Sequence, residues 1–252
     1  MRHLAALFMA LLITGASPKT FVAPPILMYH RVDRNSPQDR TSRDLTVAPS
    51  ELERQLAYLK AHRIAAISMA DFENRLAHRL PLDHAVVLTF DDGYADQYSH
   101  ALPLLRRFGD DATFYIITGE LGKTNHLTWD ELRLMQRDHM DIAAHGVKHD
   151  DLALMSDSQQ WYQIATSIRT LHDRLHVPIE SYAFPSGAFN YRTLAILKSE
   201  HIPLAVTTDP RYVIPPQTAL ELPRIRVHGW WSLKDFSRAI RKASTHDRQV
   251  IR

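Results

Sequence analysis

The sequence predicts an α/β fold in which a parallel sheet closes, or nearly closes, into a barrel. Three observations predict it. Strand and helix patterns alternate along the chain, as in repeated β-α units. The strands are near-continuous apolar runs, expected where both faces of a sheet are covered. Roughly seven or eight such units follow the N-terminal stretch, which suits a barrel. A doubly wound open sheet is the competing arrangement.

The elements follow in order. Residues 25–29 (PILMY) form a short apolar strand that ends at His30. Residues 50–62 form a helix with leucines at helical spacing and a capping-box pair, Ser50 and Glu53. A strand at 64–67 leads to a short helix at 71–78. The run 85–90 (AVVLTF) is the next strand, followed by a helix near 96–108. Residues 113–118 (TFYIIT) form a strand, and 128–138 a helix capped by Thr128. A strand at 140–144 precedes a long amphipathic helix at 158–175. Strands at 181–184, 204–207 and 225–227 complete the set, with helices after the first and the last.

Ahead of these units, residues 1–3 make a short basic start and residues 4–13 (LAALFMALLI) an apolar stretch the length of a signal h-region. The small residues Gly15, Ala16 and Ser17 follow. The stretch is shorter than the roughly 18–20 residues that span a bilayer. Residues 1–20 therefore read as a secretory signal, cleaved between Ala16 and Pro24, or as an uncleaved anchor. Residues 21–252 read as one domain working outside the cytoplasm, secreted or periplasmic. A formal charge of +2, with Lys and Arg scattered, excludes nucleic acid or an anionic membrane surface as a partner chosen by bulk charge. The chain has no cysteine, so it must rest on its core without disulfides.

Polar residues collect at the strand ends. His30, the pair Asp91-Asp92, His145, the turn Pro185-Ser186-Gly187, and His228 each follow a strand. In a parallel barrel those ends share one rim, where active sites are built. His145 and His149 stand four apart, and imidazole with carboxylate suits zinc or a similar divalent metal. In a chain with 15 His such a pair arises readily by chance, and Asp-Gly alone often marks a turn. Placed together at two strand ends of one sheet, they point to a metal site.

TFDDGY at 89–94, HGVKHDDL at 145–152 and FPSGAFN at 184–190 occur in this order between ILMYHRV at 26–32 and LPRIRV at 222–227. In these motifs, over most of its length, the chain resembles the polysaccharide deacetylase family, the NodB-homology domain of carbohydrate esterase family 4. The MYHRV and FPSGAFN stretches are most similar to deacetylases of exported poly-N-acetylglucosamine. The resemblance implies a distorted (β/α)7 barrel and a hydrolase that removes N-acetyl groups from a GlcNAc-containing polysaccharide. It implies a divalent metal, zinc before cobalt or nickel, on Asp92, His145 and His149. Asp91 would be the general base, and a backbone N–H at Ser186 would meet the oxyanion. The general acid would be His30, with His228 in RVHGW as the alternative. The implied partners are a polysaccharide substrate and membrane-associated export machinery, with the protein itself a monomer.

The chain departs from the family pattern at the third motif. Most members have Arg before its proline and Tyr after it; SYAFPSGAFN has no Arg, and Ser186 stands at the Tyr position. The Arg that orients the catalytic Asp must come from elsewhere. Arg224 is the candidate, set against a solvated charge near a strand start. Of the tryptophans, Trp230 and its neighbour Trp231 follow His228 on a rim loop and are the ones set near the substrate; Leu152 packs under the site. A phosphatase using Asp91 as nucleophile would leave His145 and His149 without purpose. A glycan-binding protein with a decayed site is opposed by the complete motifs. An O-acetyl esterase, or a chitooligosaccharide or peptidoglycan deacetylase, would use the same chemistry.

Overall fold

The computed structural model describes residues 21–22, 24–35, 39–210, 219–246 and 250–251. Its centre is one curled sheet of eight strands. These are β1 (Ile26–Tyr29), β2 (Ala65–Ile67), β3 (Ala85–Phe90), β4 (Thr113–Ile116), β5 (Asp141–Ala144), β6 (Ser181–Ala183), β7 (Leu204–Val206) and β8 (Ile225–Arg226). The order is β7-β6-β5-β4-β3-β1-β8, with β2 paired to the first half of β3. All these pairs are parallel. The two edges approach each other through one short stretch of chain. Leu222 bridges to Val206 of β7, while Ile225 of β8 pairs with Leu27 of β1. The expected barrel-like α/β fold is thus present, curled and joined at a single seam.

Strand alternation sorts the core into two layers. On β3, Val86, Leu88 and Phe90 face the helices, whereas Ala85 and Val87 belong to a smaller cluster inside the curl with Tyr115, Ala143, Ala183 and Val206. On the outer side Phe90 stacks between Tyr29 and Phe114, 5.0 Å from each ring centre. The helices covering that face are α1 (Pro49–Ala61), α3 (Leu102–Phe108), α4 (Trp129–Arg137), α5 (Asp157–Leu175), α6 (Tyr191–Ser199) and α7 (Leu233–His246), whereas α2 (Met69–Ala77) packs Met69 and Phe72 into the smaller inner cluster.

Two local expectations are corrected. Ser50 and Glu53 do not form a capping box: α1 starts at Pro49, its N-cap is Ala48, and no side chain caps it. A proline in the first turn has its φ already set for the helix and needs no partner for a missing N–H, which moves the start upstream. Capping boxes occur instead at Thr128–Glu131, Ser156–Gln159 and Asn190–Thr193. The helix expected near 96–108 is interrupted, with a π-helical turn, Gln97–Ala101, ahead of α3. Pro103, with no N–H to give to the preceding turn, sits at this junction. The secretory-signal reading falls on residues 1–20, outside the described residues. Among the described residues no helix is long and apolar enough to cross a membrane.

One carboxyl outside the site bears on stability. Asp110 follows the left-handed Gly109 that ends α3, and its Oδ2 is buried without a hydrogen-bond partner. Burial pushes the carboxyl up from 3.8 to about 6, against the pull of Lys60. The folded state therefore holds this proton more tightly than the unfolded state, and stability is lost as pH rises from about 4 to about 6. Asp110→Asn is expected to raise the Tm relative to wild type at pH 7 and to leave it little changed at pH 4, as read by thermal unfolding at the two pH values.

Candidate active site

The rim at the strand C-termini is organised by β3. Along this strand Val87 and Thr89 face inward, and the alternation carries Asp91 to the same side. The next residue breaks the pattern. Asp92 has φ +74° and Gly93 φ +70°, so two successive left-handed positions swing the chain away. Asp tolerates this conformation better than most side chains, and Gly carries no steric penalty there. A Cβ at Gly93 would also lie 3.2 Å from Ile116 Cδ1. The turn therefore sends two adjacent carboxylates in different directions.

Asp92 faces the end of β5. Its Oδ1 lies 3.4 Å from His145 Nε2 and 3.7 Å from His149 Nε2, and donor atoms of all three residues fall within 4.8 Å of one another. His145 Nδ1 is 2.7 Å from the Ala183 carbonyl on β6. A carbonyl can only accept, so Nδ1 carries the proton and the lone pair of neutral His145 sits on Nε2, facing Asp92. Asp92 Oδ1 is buried and has no hydrogen-bond partner. Burial alone would push the Asp92 carboxyl up, yet His145, His30 and His149 hold it well below the ordinary range. Burial would lower His145, and the two aspartates instead raise it. An orphaned buried carboxylate oxygen opposite two imidazole nitrogens fits a divalent cation, with His149 as the exposed member of the set.

Asp91 is held by Arg224. Nη1 donates to Oδ1 at 2.6 Å and Nη2 to Oδ2 at 2.7 Å, a two-pronged pair with both side chains buried. The guanidinium is itself fixed by the Thr207 carbonyl at 2.9 Å and Thr89 Oγ1 at 3.1 Å. Burial raises the Asp91 carboxyl, and the Arg224 charge and hydrogen bonds overcome it, leaving the group below its ordinary value. The arginine missing from the third motif is thus replaced, in space, by one from the seam of the barrel.

His30 ends β1 and stands beside Asp91 in the parallel register that pairs Tyr29 with Phe90. Its imidazole is pushed down by burial and partly restored by Asp91 and Asp92. Gln97, buried at the π-helical turn, donates through Nε2 to the carbonyls of both His30, at 2.8 Å, and Asp91, at 2.6 Å. The neighbouring Asp96 accepts from Val32 N–H and Arg31 Nε, each at 2.9 Å. Neither Gln97 nor Asp96 was singled out from sequence, and an isolated Gln or Asp there carries no signal. Tyr94 was also passed over, although it ends the quoted TFDDGY. Burial and the Asp92 charge raise its phenol to about 12.

The remaining expected residues are not part of the Asp-His-His donor set. Pro185 is buried; Ser186 is exposed with φ +55°, and Gly187 follows at φ +74° in the turn after β6. Leu152 is fully buried in the outer core. His228 and Trp230 both turn to Asp44: Nδ1 and the indole N–H lie 2.8 and 2.9 Å from the same Oδ1. Asp44 was not foreseen either.

Comparison with known proteins agrees with this geometry. The family model for polysaccharide deacetylases matches residues 80–204. The Streptococcus pyogenes deacetylase PplD, solved in complex with acetate, is 31% identical and superposes with a TM-score of 0.81, covering 88% of this chain and 99% of its own. YxkH of Bacillus subtilis, classed among polysaccharide deacetylases, is 28% identical over 81% of this chain and 71% of its own. The poly-β-1,6-N-acetyl-D-glucosamine N-deacetylase of Staphylococcus epidermidis is 25% identical over 80% of this chain and 78% of its own. The chain belongs to the polysaccharide deacetylase family, hydrolases that act on amide bonds of polysaccharides and generally use a divalent metal.

Arg224→Gln would leave Asp91 as an uncompensated buried charge and is expected to cost about 3–5 kcal/mol in urea unfolding. Arg224→Lys, which keeps the charge but not the two-pronged geometry, is expected to recover part of that loss.

Proposed function

We propose that the protein removes N-acetyl groups from a GlcNAc-containing polysaccharide, poly-β-1,6-GlcNAc or a similar exported glycan, by metal-dependent hydrolysis. The observation that carries this reading is the Asp92–His145–His149 cluster with an arginine-held Asp91 next to it. The likeness to the Staphylococcus epidermidis enzyme supports the substrate class. Residues 21–252 would form the deacetylase domain. It would act outside the cytoplasm as a monomer served by membrane-associated export machinery, with residues 1–20 as secretory signal or anchor.

Asp92, His145 and His149 would hold the cation, zinc before cobalt or nickel. Such an ion polarises an acyl oxygen and lowers the pKa of water from 15.7 toward about 7. Asp91 accepts the proton released as water adds to the acetyl carbon. Arg224 keeps Asp91 ionised and aimed, since a protonated carboxyl could not serve as base. The backbone N–H of Ser186 meets the developing oxyanion. Protonated His30 then gives its proton to the amide nitrogen, the C–N bond breaks, acetate leaves, and the amine stays on the sugar. Gln97, joined to the carbonyls of His30 and Asp91, sets the spacing between acid and base. His228, backed by Asp44 at 2.8 Å, is the second reading for the acid; the register sets it one strand farther from Asp91 than His30.

Asp92→Ala and His145→Ala are expected to lose bound metal and acetate release together. Asp91→Asn is expected to keep the metal while turnover falls by about 10²–10⁴-fold, the usual scale of general-base catalysis. His30→Ala should lower kcat by more than His228→Ala does. Metal analysis of the purified variants and acetate release from poly-GlcNAc, chitooligosaccharide, peptidoglycan and acetylxylan provide the check. Full activity after a chelator has stripped the metal would overturn the reading, and acetate from acetylxylan alone would redirect it to an O-acetyl esterase.

A further inference from the structure

Next to this site lies a cavity of about 780 Å³ that the proposed reaction leaves without a role. One wall is the short helix Arg40–Leu45, and the other is the turn after β8 that carries His228 and Trp230. Gly229 joins the walls. Its N–H donates to the Asp44 carbonyl at 2.8 Å, and a side chain there would collide with the carbonyls of Arg43 and Thr46. The location follows from register. His228 continues β8 as His30 continues β1 and Asp91 continues β3, so the three ends form a row. Two strand spacings separate His228 from Asp91 by about 10 Å.

The charges lining this cavity do not balance. Arg34, Arg40 and Arg43 all line it, and among the described residues none has a carboxylate partner. Two carboxylates also line it, Asp33 beside Arg31 at 3.6 Å and Asp44 bonded to His228 and the Trp230 N–H, so three guanidiniums face two carboxylates and the lining stays net positive. The indole of Trp230, pinned through its nitrogen and stacked on the His228 ring at 5.2 Å, is 69% exposed. A flat, fixed aromatic face beside three guanidiniums that make no ion pair suits a sugar ring that bears an anion. A GlcNAc homopolymer offers no anion, and its deacetylated product is a cation that these arginines would repel.

We propose that this cavity is a subsite for an anionic group, a carboxylate or a phosphodiester, carried by the glycan next to the sugar whose acetamide enters the active site. The inference rests on the deacetylase reading and, among exported glycans that contain GlcNAc, favours those with acidic groups over the poly-β-1,6-GlcNAc homopolymer.

Calorimetry would compare three oligosaccharides built on GlcNAc, in which the adjoining sugar carries a free carboxylate, the same carboxylate as its amide, or a phosphodiester. Wild type is expected to bind an anionic form about fivefold or more tightly than the amide, from several exposed charge contacts. That preference should shrink as salt is raised. The double variant R40Q/R43Q should bring the ratio near one, and R40K/R43K should retain much of it. Whichever anion shows the preference names the source. Equal binding of charged and amidated forms by wild type, or a ratio unchanged in R40Q/R43Q, would overturn the subsite. Acetate release from the same compounds is read separately: binding preference without acetate from any of them would sink the deacetylase reading and leave the subsite standing.

Discussion

The buried ion pair between Arg224 and Asp91 is the contact on which the site and the fold both depend. Taking two charges out of water costs several kcal/mol per ion, and only close, two-pronged geometry with further hydrogen bonds offsets it. Here the guanidinium has both carboxylate oxygens, the Thr207 carbonyl and the Thr89 hydroxyl. Arg224 stands in the stretch between Leu222, which bridges to β7, and Ile225, which pairs with β1. The interaction that keeps Asp91 ionised therefore also ties the seam of the barrel to its central strand.

The second constraint is electrostatic crowding. Two neighbouring aspartates in a buried setting would repel, and at least one would take up a proton if both faced the same space. The left-handed turn at Asp92 and Gly93 separates them, giving each its own partners. Asp91 meets a fixed guanidinium. Asp92 meets two imidazoles whose remaining lone pairs suit a cation. Adjacent residues thus occupy two different surroundings, one carboxylate against a guanidinium and the other against two imidazoles, because the backbone reverses between them.

The opposite flank of the rim is built differently. Residues after β1 run through a short parallel pair, Arg31–Val32 with Thr46–Val47, and the helix Arg40–Leu45 before rejoining the barrel at α1. Asp44 in that helix fastens the His228–Trp230 turn, so β1 and β8 share one wall. The candidate catalytic groups come from strand ends, whose positions the sheet sets. The arginines of the proposed subsite come from the connecting segment, which can vary without disturbing the barrel.

Local pattern in the sequence determined most of the scaffold and the centre of the site. Apolar runs of strand length, helical leucine spacing and the order of TFDDGY and HGVKHDDL were sufficient for the α/β barrel and for placing Asp91, Asp92, His145 and His149 at strand ends, because those signals act over a few residues. Where a helix begins was less legible: Pro49 displaced the box suggested by Ser50 and Glu53. Only the tertiary structure decided that Arg224 reaches Asp91 across 133 residues and that His228 meets Asp44 across 184. Gln97 was invisible for a related reason, since its partners are backbone carbonyls on two strands and no residue type announces them. Such contacts depend on the register and closure of the sheet, which bring chain-distant groups within hydrogen-bonding range, whereas sequence pattern records only what neighbouring residues require of one another.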